Sequence, residues 1–572
     1  MTRARFLAPA VLLLGLGVVA YRELPAILGS RVFSNDAWPL LSDSRYLVSH
    51  PTATLIPCSS FPTCYYAYWP APTVLTAVFQ QVTGLPLLNV PAALTLFFSA
   101  LFAMGIALFA RLTFSRGDSA VGGTASGIAQ SLPALFAVLA LAVSSWLLNT
   151  FYAGYKAEAE AMPLCILALF LFTKGLRNPK AAGGGARWLA VIALYLGILL
   201  THHFSAFLAE SAMAGGLALA LLRTRFRSLN AQAGAVVAAS VGITILYYAL
   251  QGFRGLTEYY PPGFTETLLA YNAGFLVLAA ITRVREARAV ARVLVPLMFA
   301  LAALVMVFPG RILPGIPRIS PLELALAVGP AGVFAFASLG YVRLLREAPV
   351  VQSVLGAWII AAFSLVVYST FDGNAILLYR GLVAAATPSL VFAGYEILRS
   401  LEVFRGSVAR SAPGTPRNRG ASGSKRPRSF WAGWVALSLL IVATALGVVA
   451  SLTYYGKSVY TGETWAYPES ELTAIHSLSE LLGSQSIAAG VNEAGPLGFY
   501  QGNISAVESP PSPPPAPGYR LTGLVILLGP QELSGNFFGY GLGWNVQSME
   551  NVLHNDSIYY NSGSYIALGG VR

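Results

Sequence analysis

Long uninterrupted apolar runs recur along most of this chain, and no other feature constrains its fold as tightly. A helix needs roughly 20 residues to cross the hydrocarbon core of a bilayer, and somewhat fewer when it is buried among other helices. On that measure the runs give thirteen spans. They are Phe6–Tyr21, Val90–Ala110, Leu132–Leu148, Ala157–Thr173, Trp188–Leu200, Phe204–Leu222, Ala231–Leu250, Leu268–Ile281, Val293–Phe308, Leu322–Val342, Val354–Tyr368, Gly381–Leu398 and Phe430–Leu452. Composition agrees: of 572 residues 56% are hydrophobic and 10% charged, where soluble domains carry about 25% charged residues. So few charges cannot cover a water-facing surface of this size. A soluble enzyme, a disordered scaffold and a disulfide-rich secreted module are excluded. The chain reads as an α-helical polytopic membrane protein of about thirteen transmembrane helices.

Arginine placement sets the expected orientation. With the N-terminus inside, the inside segments hold Arg3 and Arg5, Arg111 and Arg116, and Lys174, Arg177, Lys180 and Arg187. Arg223, Arg225 and Arg227 follow, then Arg283, Arg285, Arg288 and Arg292, then Arg343 and Arg346. The last inside loop, 399–429, is the most basic and is rich in Gly, Ser and Pro, as expected of a topogenic loop touching anionic lipid. Most of the 36 lysines and arginines thus fall on one side, as the positive-inside rule requires. The net charge of +12 therefore reads as membrane topology, with no nucleic-acid partner. The expected protein is multi-pass in the plasma membrane, N-terminus cytoplasmic and C-terminus outside. The first run, behind its basic start, also has the form of a signal peptide, whose removal would leave the remaining topology unchanged.

Residues 1–452 form the membrane domain on this reading, with a long first outer loop at 22–89 that carries an interfacial helix near Ala71–Gln81. Residues 453–572 are long enough for a small extracytoplasmic C-terminal α/β domain. An amphipathic pattern predicts a helix at Glu469–Leu482, with strand-like runs at Ser486–Val491, Leu524–Leu528 and Ser557–Leu568 around a proline-rich linker, Ser509–Pro517. Two glycosylation sequons, Asn503 and Asn555, fall in this tail. Cys165 lies in an apolar run and reads as core, whereas Cys58 and Cys64 share one outer loop and either bridge or stay free.

Ionisable residues in so apolar a bundle must be paired or wet, and most of them gather at the outer rim. The first outer loop reads Asn35-Asp36-Ala37-Trp38-Pro39. Asp36 there either takes a proton from a hydroxyl, holds a metal, or caps a turn. Lys156 and Glu160 are spaced as a helical ion pair, which leaves Glu158 on another face. His202 and His203 sit in a tight outer hairpin with no third ligand at zinc spacing, so hydrogen bonding to a polar head group or sugar is the functional alternative to a structural role. Glu210 is the clear mid-helix acid, on the same helix face as His203 and expected to pair with it. Glu396 is expected to reach water at the inner end of its span. Arg380 opens a late span, where it either snorkels or clamps a phosphate with its planar fork.

This layout resembles the C-type superfamily of integral-membrane glycosyltransferases, which use polyprenyl-phosphate-linked sugars. The resemblance rests on Asn35-Asp36-Ala37-Trp38 after the first span, Tyr155-Lys156-Ala157-Glu158-Ala159 entering a span, and Leu200-Thr201-His202-His203 in a short hairpin. Tyr379-Arg380-Gly381 and a closing outer domain complete it. The count of spans is also similar to that of the oligosaccharyltransferase catalytic subunit. Its Trp-Trp-Asp-Tyr-Gly motif is missing, however; the tail offers only Gly543-Trp544-Asn545. The resemblance implies a polyprenyl-phosphate sugar donor lying in the outer leaflet, with Asp36 as general base and Arg380 neutralising the leaving phosphate. Lys156, Glu158, His202 and His203 would bind phosphate or sugar. It implies no certain cofactor, although some branches use a divalent metal, and it leaves the acceptor open among glycan, lipid and protein. The rival classes are a transporter or flippase of lipid-linked glycans, which places ionisable groups near the midplane, and a non-catalytic assembly protein that displays the tail.

Overall fold

The computed structural model describes residues 37–53, 65–114, 157–178, 184–224, 231–252, 262–282, 328–372 and 375–411, a few single positions near 290 and at 438, and short stretches of the tail between 469 and 569. Eight helices among these are long and apolar enough to cross a membrane. They are Leu87–Thr113, Ala157–Arg177, Gly184–Thr201, His203–Arg223, Ala231–Leu250, Phe264–Ile281, Pro349–Phe371 and Arg380–Ser400, each overlapping one of the expected spans. A further helix, Val328–Glu347, packs among them where Leu322–Val342 was expected. The runs Phe6–Tyr21, Leu132–Leu148, Val293–Phe308 and Phe430–Leu452 lie almost entirely outside the described residues. The protein is a multi-pass membrane protein.

The elements used below are α1 (Ala37–Ser49), α2 (Ala71–Thr83), α3 (Val90–Phe114), α4 (Ala157–Arg177), α5 (Gly184–Thr201) and α6 (His203–Arg223). They continue with α7 (Ala231–Tyr247), α8 (Phe264–Ile281), α9 (Val328–Glu347), α10 (Pro349–Asp372), α11 (Ala375–Ser411) and α12 (Glu469–Leu482).

A continuous buried core runs through α3, α4, α5, α6, α9, α10 and α11. Lipid tails are as apolar as leucine, so helix association there depends on close backbone approach. Gly216 shows this: a Cβ built on it would stand 2.7 Å from Val354 Cα, so α6 and α10 touch backbone to backbone. The helices α7 and α8 flank this core, adding Ala233, Val236, Phe264 and Leu268 to it, and leave Ile245, Leu246, Leu269, Val277 and Ile281 exposed as lipid-facing side chains.

The first loop covers one end of the bundle. In α2, Pro72 sits in the first turn, where a missing N–H costs nothing, and Gly84 ends the helix in the left-handed region at φ 70°. Pro72, Thr73, Thr76 and Ala77 are buried, and Ser44 of α1 donates to the Thr73 carbonyl at 3.1 Å. Val74, Leu75, Val78 and Val82 form an exposed apolar stripe, the pattern of a helix lying in a membrane interface.

Several ionisable side chains inside the bundle are paired, some differently from expectation. Glu210 does not bond His203: its Oε2 accepts from Tyr195 Oη of α5 at 2.6 Å and Thr244 Oγ1 of α7 at 2.8 Å. An in-helix offset brings two side chains to one face but does not stop a neighbouring helix offering a better donor. Glu396 is buried at 6% exposure, not water-facing, and its Oε1 pairs with Arg343 of α9 at 3.2 Å. Beside it Arg399 pairs with Glu347 at 2.8 Å, and Tyr395 also donates to Glu347. Cys165 is buried, as expected.

In the tail, α12 spans Glu469–Leu482, and five short strands form one sheet. They are β1 (Ile487–Ala489), β2 (Val507–Glu508), β3 (Val525–Leu528), β4 (Ser557–Asn561) and β5 (Ile566–Gly569), in the order β2-β1-β3-β5-β4. β1 pairs in parallel with β2 and β3, whereas β5 runs antiparallel to β3 and β4.

Candidate active site

Three helix ends bring ionisable side chains to one rim of the bundle. Glu158 stands in the first turn of α4, where unpaired backbone N–H groups favour a carboxylate. His202 is the N-cap of α6: its φ of −157° breaks the helix after Thr201. Its Nδ1 accepts from the Ser205 backbone N–H at 3.3 Å and lies 2.9 Å from Ser205 Oγ. Arg380 lies in the first two turns of α11.

The three meet at a single oxygen. Glu158 Oε1 lies 3.3 Å from His202 Nε2 and 3.2 Å from Arg380 Nε. Glu158 and His202 are buried, while Arg380 keeps 33% of its side chain exposed, so the cluster opens to its surroundings on the arginine side. Because Nδ1 accepts the capping N–H, the ring proton of His202 belongs on Nε2, facing the carboxylate. Burial, then the neighbouring Arg380 charge, holds the His202 pKa well below its ordinary value. His202 is therefore a neutral donor with a fixed tautomer.

Aromatic rings close the cluster on the histidine side. His203 is buried, its ring 5.0 Å from that of His202 and 4.6 Å from that of Trp69. Trp69 packs edge-on to Tyr68, whose carbonyl accepts from Tyr247 of α7. The first loop is thereby fastened over the α5–α6 hairpin.

Of the residues singled out from sequence, the structure brings Glu158, His202, His203 and Arg380 together, whereas Asp36 and Lys156 lie outside the described residues. Glu160 is buried. Cys58 and Cys64 are also outside the described residues. Sequence reasoning missed Trp69 and Ser205. The aromatic run Tyr65-Tyr66-Ala67-Tyr68-Trp69 in an outer loop was the available signal for the first, and the N-cap spacing His202–Ser205 for the second.

Among the described residues no three His, Cys, Asp or Glu side chains converge. A positive side chain beside a carboxylate suits an incoming anion: the planar fork of arginine matches phosphate oxygens and keeps its charge at any working pH.

A neutral buried His202 has a consequence for stability. In the unfolded chain the imidazole takes a proton near pH 6.5, and in the folded protein only well below it. The unfolded state therefore binds more protons as pH falls through about 6.5, and stability drops on acidification, by on the order of 1 kcal/mol for this group per pH unit. Melting curves between pH 7.5 and 5.5 are expected to show this loss, and His202→Gln, which keeps a donor but cannot titrate, to flatten it. An equal slope in the variant would show that His202 does not titrate in this way.

A first loop folded over a bundle of apolar spans, with charged side chains gathered at its rim, defines a multi-pass membrane protein with the fold of the C-type glycosyltransferases. One solved structure with this fold is the archaeal oligosaccharyltransferase AglB from Archaeoglobus fulgidus, in complex with an inhibitory peptide and a dolichol-phosphate. It is 12% identical, with a TM-score of 0.56 over 100% of this chain and 75% of that one. Another is ArnT from Cupriavidus metallidurans bound to undecaprenyl phosphate, 13% identical, with a TM-score of 0.50 over 98% of this chain and 99% of that one. No protein-family model matches the chain, and no curated protein matches it in sequence.

Proposed function

We propose that this chain is a membrane glycosyltransferase that moves a sugar from a polyprenyl-phosphate-linked donor to an acceptor at the outer face of the membrane. The observation that carries the proposal is the Glu158 carboxylate shared by Arg380 and neutral His202 at one rim of this fold. Glu158 pairs with Arg380 at Nε and aims its guanidinium; Nε2 of His202, whose ring is fixed by the Ser205 cap, faces the same carboxylate oxygen at 3.3 Å. When a lipid phosphate leaves the anomeric carbon, Arg380 meets its growing negative charge, so the leaving group needs no proton. His203 and Lys156 take the role of contacts to phosphate or sugar hydroxyls.

Asp36 is the proposed general base. It would remove the acceptor's hydroxyl proton as the oxygen attacks the anomeric carbon in line with the departing phosphate. Supporting this, Ala37 directly follows Asp36 and Ala157 directly precedes Glu158, and both belong to one buried cluster. The acceptor is a glycan, a lipid or a protein; the missing Trp-Trp-Asp-Tyr-Gly motif speaks against a peptide asparagine. The N-terminus is proposed to be cytoplasmic, in the plasma membrane, and residues 453–572 to form an extracytoplasmic α/β domain.

The test is turnover of polyprenyl-phosphate sugars by the protein in membranes that supply the acceptor, read as release of polyprenyl monophosphate. Release is expected with at least one donor, and its kcat/KM should show no inflection from His202 between pH 6 and 8. Translocation of an intact lipid-linked glycan across a vesicle membrane, with no release, would instead establish the flippase reading.

A further inference from the structure

The C-terminal tail is tied to the helix that begins immediately after Asp36. Arg45 of α1 donates from Nη1 to the backbone carbonyl of Phe499 at 3.0 Å, and its guanidinium lies 5.4 Å over the centre of the Phe499 ring. The fully buried Trp38 stands 5.5 Å from Phe499 and 6.5 Å from Tyr500, centre to centre. Tyr500 is held in turn edge-on by His476 of α12 at 4.6 Å. Leu472 of α12 and Phe499 are themselves buried in a cluster with Ala37, Trp38, Leu40 and Leu41 of α1 and with Leu94 and Phe98 of α3. Ala157, one residue before Glu158, completes this cluster.

These contacts differ from ordinary coverage of a surface in where they fall. A short helix outside a membrane has little of its own to hold it, because isolated helices shorter than about 12–15 residues are marginal in water. The 13 residues of α1 need outside support. One side receives it from α2 and α3, and the tail supplies it at Trp38 in the first turn and at Arg45 about two turns further on.

We infer that Leu472 and His476 of α12 together with Phe499 and Tyr500 are a clamp on α1, gripping Trp38 and Arg45 and thereby fixing the start of that helix relative to α4. On the proposed function, Arg45, Trp38 and Phe499 are positioning residues. They hold the chain at Asp36 in register with Glu158 and touch no substrate themselves. The tail is then part of the catalytic assembly rather than a display module carried by the membrane domain.

Two readouts on the full-length protein in nanodiscs test this, and they fail separately. The first is hydrogen–deuterium exchange of the α1 amides, which involves no activity. Arg45→Ala and Phe499→Ala are expected to speed exchange across Ala37–Ser49 at least about tenfold, as native contacts holding the helix are lost. Arg45→Lys keeps a cation over the ring and is expected to restore most of the protection. Phe499→Leu guards against loss of folding by keeping the apolar volume. Exchange unchanged in both alanine variants overturns the clamp, whether or not the protein transfers sugar.

The second readout is kinetic. A base misplaced by about 1 Å costs up to a hundredfold in rate, whereas the donor phosphate is gripped elsewhere. Arg45→Ala is therefore expected to lower kcat by about tenfold or more with donor KM unchanged, and Arg45→Lys to recover it. Faster exchange with unaltered kcat would overturn the positioning role. Faster exchange in a protein that turns over no donor would uphold the clamp and sink the transferase reading.

Discussion

Arg380→Ala is expected to lower the rate of sugar transfer by at least about a hundredfold, because charge stabilisation aimed at a leaving group commonly supplies that much. Arginine at this position has two tasks. It meets the phosphate, and it neutralises Glu158, whose Oε1 it faces at 3.2 Å. Its removal leaves the buried carboxylate without its cation, beside the neutral His202. Breaking a fully buried pair from one side costs about 3–5 kcal/mol; with 33% of the Arg380 side chain exposed the figure is smaller here. The variant should thus lose some thermal stability besides its activity, and the two effects can be separated. Glu158→Gln in the Arg380→Ala background removes the orphaned charge, so it should return stability without returning transfer. Arg380→Lys retains the charge but not the planar fork, and transfer should fall between the two extremes. Transfer by Arg380→Ala within about threefold of wild type, at equal folded protein, would remove Arg380 from phosphate neutralisation.

Gly340→Ala tests the seam that supports Arg380 from below. A Cβ at Gly340 in α9 would overlap the carbonyl oxygen of Phe392 in α11, and it would stand 2.8 Å from the carbonyl carbon. The obstacle is backbone, so no rotamer change relieves it; α9 and α11 must separate. Overpacking of that kind costs about 1–3 kcal/mol, and more where a helix as a whole must shift. The expected result is a fall in melting temperature of several degrees with reduced recovery of folded protein. The consequence reaches the site as well. Phe392 is twelve residues, roughly 18 Å of helix, beyond Arg380 on α11, so tilting α11 at the seam swings the guanidinium away from Glu158. An unchanged melting temperature in the variant would mean that α9 and α11 do not approach as closely as the structure has them.

Much of the membrane architecture was legible because apolar runs report burial directly. The run Ala231–Leu250 matches its span, and Leu268–Ile281 differs from the helix Phe264–Ile281 only at the start. Where the runs fell short, chemistry at helix ends explains it: α4 continues past Thr173 through Lys174, which is exposed, and Arg177, whose guanidinium donates to the Leu112 carbonyl of α3, while the backbone stays helical. The α12 pattern, Glu469–Leu482, was equally plain because one face of the helix alternates correctly with the other.

Pairing between helices was not legible. Glu210 shows why: its own helix places His203 on the same face, yet Tyr195 and Thr244 arrive from helices on either side. Hydropathy carries no information about which spans become neighbours. The same limit hid the burial of Glu396 under Arg343, since water access was inferred from position along one helix. Glu158, His202 and Arg380 were each singled out by their place at the outer rim and by short motifs, but nothing within the sequence says that positions 158, 202 and 380 share one oxygen. Trp69 was overlooked because the aromatic run that contains it does not say which of its rings meets His203.

The most direct measurement is transfer of radiolabelled sugar from a panel of polyprenyl-phosphate donors in membranes, comparing wild type with Asp36→Asn at equal expression. The amide keeps the size of the side chain and removes its basicity. Transfer by the wild type from at least one donor, and a loss of about a hundredfold or more in the variant, is the expected result for a general base. Equal transfer by both proteins would contradict the assignment of Asp36, and no transfer from any donor would contradict the glycosyltransferase itself.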